Sequence, residues 1–459
     1  MLSPGPESSP AALRVSVIGG GPSGTFFTYC LQEQCRKLNR PVEVTIFEPK
    51  TFEMGGAFHC NYCQGVISAG LLRAMENIGL VIPDQVIQAQ IKSYHLIALG
   101  GELVLPAPEN QHIYTVFRGH GPVPQRAGSI SFDQFLLDKA LEGGARKQSV
   151  QVREVEIAPG DPNPVRLTDH LQRTYLSDFV VGAYGVNSKI GLQFEKLSFG
   201  YRPPATNSAL QAEFRCSEAD RLRLFGEEIK IFLLGLYPIR FAVITPKRGH
   251  LTVSLIGEKL KSGHLDDFME HPLVRKHLAG DLQLSAMRCS CAPLIPITDG
   301  GELAGEHCLI IGDAAVSRYY KNGIESALSS AELAAEVLSR HGAAPAALLR
   351  RCYTERLKAR FRLDNYMGRL LFRMHDQINR LPTLSRAQLA IARGDFGLTG
   401  HSSRSLRWIL WNMFTGDTSY RKIFLRSLDP VLLCGIVFST LKTYLSGKLR
   451  KLFSAEQAR

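Results

Sequence analysis

The segment from Arg14 to Gly24 constrains this chain more than any other. An apolar run, Val15 to Ile18, leads straight into Gly19-x-Gly21-x-x-Gly24, and helix-like sequence follows. A second strand-like run, Val42 to Phe47, ends on an acid, Glu48. Strand, glycine turn, helix, strand and acid, in that order, predict a βαβ unit that holds a dinucleotide. Gly19 permits the tight turn, Gly21 lets the backbone approach a pyrophosphate, and Gly24 lets the helix pack closely on the sheet. Pro22 and Ser23 complete the set expected at the phosphates, where the free N–H groups and dipole of the helix N-terminus act. Glu48 can accept hydrogen bonds from ribose hydroxyls.

At 459 residues the chain is too long for one core and predicts two or three structural units. Hydrophobic residues at 45% and charged residues at 21% fit a folded globular protein. Residues 1–12, rich in Pro, Ser and Ala, are expected to be disordered, and they carry neither a basic start nor an apolar run that would make a signal peptide. A cytoplasmic location follows, with the ten cysteines mostly reduced. The net charge of +12 is uneven: from Arg340 onward 22 Lys/Arg face 7 Asp/Glu, or +15, and the rest sums to about −3. A basic C-terminal part faces something acidic. No zinc finger or RNA-recognition signature is present, so nucleic acid is not the expected partner.

A second strand-to-turn signature lies at Leu309 to Ala315, with Gly312 and Asp313 at the turn, and a helix of small and apolar residues is predicted from Gly323 to Leu338. An Asp at a strand end can accept from a ribityl hydroxyl, and Gly323 can offer N–H groups to a flavin ring edge. With the N-terminal fingerprint, this pair resembles the two-dinucleotide-fold flavoproteins, in the branch that includes para-hydroxybenzoate hydroxylase and the geranylgeranyl reductases. Asp178 to Ser188 resembles that branch's strand ending in Gly-Ala-Asp-Gly-x-x-Ser. The three motifs fall in family order and cover roughly residues 13–340. The resemblance implies FAD, with its adenosine near Glu48, its ribityl chain near Asp313, and Asn322, Gly323 and Ile324 near the flavin. Two departures stand out: Tyr184 replaces the usual Asp implicated in nicotinamide use, and Lys321-Asn322-Gly323 replaces the usual Gly-x-Gly.

The segment Cys60-Asn-Tyr-Cys63-Gln-Gly65 resembles the reductase pattern in which a Cys before a glycine turn lies near the flavin. Cys63 is the candidate catalytic residue, a thiol that donates a proton while the flavin delivers hydride. Cys60 and Cys63 also form a Cys-x-x-Cys, open to reading as a redox pair or as half a metal site with Cys289 and Cys291; no metal is expected. Period-two runs between 228 and 256 predict consecutive antiparallel strands, and residues 71–130 are expected to add a strand pair. Their Val, Ile, Leu and Phe suggest a long apolar substrate.

The expected architecture is therefore α/β: a glutathione reductase-type, Rossmann-like FAD domain (13–70, 131–194 and 298–342), an inserted antiparallel-sheet substrate domain (71–130 and 195–297) and a basic helical C-terminal region (343–459). Near the C-terminus an apolar run of about 11 residues, Val431 to Leu441, precedes Lys442, Lys448, Arg450 and Lys451. It is too short to span a bilayer, which takes ~20 residues, and fits an interfacial helix on an anionic membrane, with Trp408 and Trp411 at the headgroups. The expected activity is FAD-dependent reduction of a carbon–carbon double bond on an apolar isoprenoid or lipid-like substrate, with NADPH, NADH or an electron-carrier protein as donor. A flavin monooxygenase and a flavin-binding interaction protein without turnover are the alternatives; Tyr184 weighs against the first.

Overall fold

The computed structural model describes residues 11–52, 64–109, 111–119, 129–278, 287–320, 322–395 and 400–456, with side chains described as far as residue 445 in the last helix. The chain divides into two units, Met1–Asn61, Ile130–Thr206 and Ile295–Phe361 in one, Tyr62–Ser129, Asn207–Leu294 and Arg362–Arg459 in the other.

In the first unit six strands form a sheet in the order Ala304–Gly305, Cys308–Ile310, Phe179–Gly182, Leu13–Ile18, Val42–Phe47, Arg146–Gln148. Every neighbouring pair is parallel except the first. Strands covered on both faces need near-continuous apolar runs. Val15, Val17, Ile46, Phe179, Val180, Val181 and Leu309 meet that need, each at most 1% exposed. The helices Pro22–Lys37 and Gly323–His341 pack on one another, the second through a stripe that includes buried Ala327, Ala331 and Ala334. A separate antiparallel sheet joins Val152–Ile157, Val165–Asp169 and Thr174–Ser177.

The second unit is built on a larger sheet, ordered Met287–Cys291, Thr206–Arg215, His250–Gly257, Ile239–Lys247, Glu228–Leu233, Ser93–Ala98, Gly101–Pro106. The three strands expected between 228 and 256 are consecutive and antiparallel, and the hairpin Ser93–Pro106 joins Glu228–Leu233 in parallel. Alternation then separates two faces. Leu210, Ala212, Phe214, Ile244, Val253 and Leu255 lie on one, in a core shared with Phe268, Met269 and Val274. Many of the apolar residues that suggested an apolar substrate are therefore occupied in this core. By register, the opposite face carries Gln211, Glu213, Thr245, Lys247, Thr252 and Ser254.

The C-terminal helices do not form a body of their own; from Arg362 onward they belong to the sheet unit. They are Arg356–Arg380, Pro382–Arg393, Gly400–Thr415, Tyr420–Ser427 and Pro430–Glu456. Helix Pro382–Arg393 comes so near the hairpin tip that a Cβ on Gly100 would lie 2.4 Å from the Arg386 nitrogen. Trp411 is also packed inside, its Nε1–H donating to Gln111 Oε1 at 2.9 Å and its ring edge-on to Tyr94. Trp408 lies half-buried beneath the Arg426 guanidinium. Trp411 is thus a packing residue, and the expectation that it sits at lipid headgroups is corrected.

His375, on helix Arg356–Arg380, is buried against the Phe414 ring, and burial pushes its imidazole down to about 4. The folded chain holds this histidine neutral while the unfolded chain protonates it near 6.5, so stability falls as pH drops below that value. About 2 kcal/mol should be lost between pH 7 and pH 5 from this group. Melting curves across that range should show the loss in the native protein, and His375→Leu should remove most of it; an unchanged slope in the variant would rule the assignment out.

Candidate functional site

Leu13–Ile18 ends at Gly19, whose φ of +111° is a conformation that favours glycine. A Cβ there would lie 2.5 Å from the Ala183 carbonyl oxygen, at the end of the neighbouring strand. A Cβ on Gly24 would lie 2.0 Å from the Gly19 oxygen, so the helix is seated directly on the turn. Helix Pro22–Lys37 starts from Gly21 with no side chain capping its N–H groups and with Pro22 in its first turn. The first N–H groups of such a helix stand open to an anion. The Ser23 hydroxyl, in the same turn, is buried and has no hydrogen-bond partner among the described residues.

Glu48 closes the second strand and is buried. Its Oε2 accepts from the Gly20 N–H and its Oε1 from the Lys50 N–H, each at 2.9 Å. Two backbone donors fix the carboxylate and leave acceptor capacity for hydroxyl donors, since an ionised carboxyl offers about four lone-pair sites.

The second signature meets the first. Gly312 has φ +68°, and a Cβ on it would lie 1.9 Å from Ser23 Oγ. The Gly312–Asp313 turn therefore abuts the start of helix Pro22–Lys37, although 289 positions separate Ser23 from Gly312. Gly323 opens its helix close by, its Cβ direction pointing to Asp313 Oδ1 at 3.6 Å. Ile324 follows, half-buried in the first turn. Asn322 is in the left-handed region at φ 52°, ψ 44°, and its Nδ2 donates to Glu325 Oε2 at 2.6 Å. Asparagine is among the residues that tolerate this conformation. The structure thus brings together Gly19, Gly21, Pro22, Ser23, Gly24, Glu48, Gly312 and Asp313, with Asn322, Gly323 and Ile324 beside Asp313. Lys321, Cys60 and Cys63 lie outside the described residues.

Several positioning residues were missed in the sequence. Ser330 accepts the Gly312 N–H at 3.0 Å, and Ser326 accepts the Arg318 N–H at 3.0 Å. The Tyr353 hydroxyl donates to the Ile310 oxygen at 2.8 Å, and that of Tyr201 to the Ala314 oxygen at 3.0 Å. The two serines stand four apart on the helix from Gly323, a spacing that places them on one face and could have signalled their role. Tyr184 stacks on Phe194 at 5.2 Å and fills the space over Gly182 and Gly191, and burial pushes its phenol well above the ordinary range. Burial likewise raises the Cys30 and Cys308 thiols to about 12, which leaves them unreactive. Among the described residues no group of three His, Cys, Asp or Glu side chains stands ready for a metal ion.

An uncapped helix start, a buried hydroxyl without a partner, a glycine cradle that admits no Cβ and an anchored carboxylate fit a flavin dinucleotide. No protein-family model matches the chain. It is 22% identical over 338 residues, 71% of this chain and 75% of the relative, to the geranylgeranyl diphosphate reductase of Synechocystis sp.. Among solved structures, a geranylgeranyl bacteriochlorophyll reductase-like protein from Thermoplasma acidophilum superposes with a TM-score of 0.59 at 16% identity, covering 96% of this chain and all of that one. A flavin-dependent brominase gives a TM-score of 0.61 at 17% identity, with 91% and 98% covered. A flavoprotein/dehydrogenase from Cytophaga hutchinsonii gives 0.60 at 14% identity, with 94% and 100% covered. By fold the chain is similar to these flavoproteins, and by sequence it is distantly similar to a geranylgeranyl diphosphate reductase.

Proposed function

We propose that this chain is an FAD-dependent oxidoreductase that reduces a carbon–carbon double bond of an apolar, isoprenoid or lipid-like substrate. The observation that carries the cofactor is the contact of Gly312 with Ser23, which sets the Gly312–Asp313 turn against the uncapped start of helix Pro22–Lys37. Bound FAD would supply hydride transfer at its ring. The N–H groups after Gly21 would receive the pyrophosphate, and Glu48, oriented by Gly20 and Lys50, would accept from the ribose. Asp313 would accept from the ribityl chain, and the first N–H groups of the helix from Gly323 would serve the flavin ring. Cys63 is assigned the proton that the second carbon of the double bond requires.

The likeness to a geranylgeranyl diphosphate reductase supports the substrate class. A monooxygenase is the second reading, supported by the shared fold of a flavin-dependent brominase. Tyr184 weighs against it, because the side chain at the family's Asp position is committed to packing on Phe194.

A visible absorption spectrum of the purified protein, repeated anaerobically with NADPH, tests the proposal. Oxidised flavin bands that bleach, followed by reduction of an isoprenoid without oxygen, are the expected result. Product that forms only with oxygen would replace the reductase by the monooxygenase. Folded protein that holds no flavin and takes up none would remove the cofactor assignment. Bands that persist with NADPH but bleach with a reduced ferredoxin would identify an electron-carrier protein as donor. Cys63→Ala should lower turnover at least about 100-fold while FAD is retained; equal turnover would remove the thiol from the reaction.

A further inference from the structure

Helix Pro430–Glu456 is apolar on the wrong side for a helix that only closes a core. Its inward face, packed on helix Pro382–Arg393, presents Leu432, Gly435 and Ser439, and the Ser439 hydroxyl donates to the Ala387 oxygen at 3.2 Å. Its outward face carries the larger side chains. Val431, Cys434, Phe438, Leu441 and Leu445 follow one another at helical spacing, flanked by Val437 and Tyr444, and all are exposed. Val437 is 61%, Phe438 53% and Leu441 56% exposed. A contiguous stripe of large apolar side chains left in water marks a surface that something covers.

We propose that this stripe docks on an anionic lipid surface, with the helix lying in the plane of the interface. Charge selects the occupant. No Asp or Glu occurs between Pro430 and Leu445, whereas Lys442 is exposed beside the stripe and Arg421 and Lys422 are exposed on helix Tyr420–Ser427. The same helix runs on through Lys448, Arg450 and Lys451. Apolar side chains enter the headgroup boundary while basic residues beside them meet anionic lipid, which is the pattern of an interfacial helix. A second copy of the chain would bring the same positive charge to the contact, because a two-fold dimer pairs a surface with itself. No single helix among the described residues is long and apolar enough to cross a membrane; Tyr420–Ser427 and Pro430–Leu445 reach that length and composition only as a pair bent by 62°. The inward face of the longer helix is occupied by protein, so the stripe alone meets lipid. This inference is independent of the chemistry proposed above.

Flotation of the full chain with vesicles tests it. The protein should rise with phosphatidylcholine vesicles that contain phosphatidylglycerol, and less with phosphatidylcholine alone. High salt should weaken the association. Phe438→Ser combined with Leu441→Ser should reduce flotation by roughly tenfold or more, since both anchors are lost. Its melting temperature should be unchanged because both side chains are exposed. Native protein that stays at the bottom with the mixed vesicles, or a double variant that floats equally well, overturns the proposal. So does a dimer in sedimentation analysis that the double variant dissolves, which would assign the stripe to a second copy. Equal flotation with phosphatidylcholine alone overturns the anionic selection.

Discussion

Gly24→Ala is expected to yield a protein that purifies without flavin and unfolds more easily by about 3 kcal/mol, the upper range for forcing an extra methyl into a packed site. The sign is informative because helix propensity predicts the reverse. Within a helix, alanine is favoured over glycine by about 1 kcal/mol. Here the added Cβ would lie 2.0 Å from the Gly19 carbonyl oxygen and 3.1 Å from Val17 Cγ1. Neither backbone nor strand can yield without lifting helix Pro22–Lys37 off the sheet, and that movement would displace the N–H groups that face the phosphates. Gly263→Ala is the control. Gly263 opens helix Gly263–Glu270, and a Cβ there meets nothing within 4 Å. It should be neutral or slightly stabilising. Flavin content from the absorbance ratio and denaturant midpoints check both; a Gly24→Ala protein that retains flavin would show that the close seat of this helix is dispensable.

What could be read from the sequence was local. The strand Leu13–Ile18, the glycine turn and the strand Val42–Phe47 are coded within 35 consecutive residues, each by its own apolar run or turn chemistry. The contact of Gly312 with Ser23 is not local; glycine at 312 marks a turn, but only the folded sheet shows that the turn must admit a side chain from the first helix. Asn322 illustrates another limit. Sequence alone does not show that it takes the left-handed backbone region or that its amide donates to Glu325. The helix from Pro430 was underestimated because only its apolar run was counted. Helical propensity carries it on to Glu456, and sequence alone could not say which face turns inward.

The larger sheet shows the same limit. Alternation identifies the apolar face of a strand without saying what the other face does, and register is needed to see that Glu213, Thr252 and Thr245 form one row across three strands. Next to that row Lys247 is fully buried, its Nζ 3.3 Å from Glu213 Oε1 and 4.5 Å from the centre of the Phe117 ring. Thr252 Oγ1 donates to the same carboxylate oxygen at 2.8 Å. Lys247→Met, which keeps the aliphatic stem and removes the charge, should destabilise the protein by about 3–5 kcal/mol, because it leaves the Glu213 carboxylate buried without its cation. Glu213→Gln in the same chain removes the stranded charge, keeps an acceptor for Thr252, and should restore at least half of the loss. A Lys247→Met protein that loses less than about 1 kcal/mol, or a double variant no better than the single, would mean that the pair is not held apart from water. Recovery in the double variant would instead identify buried charge, rather than lost packing, as the source of the instability.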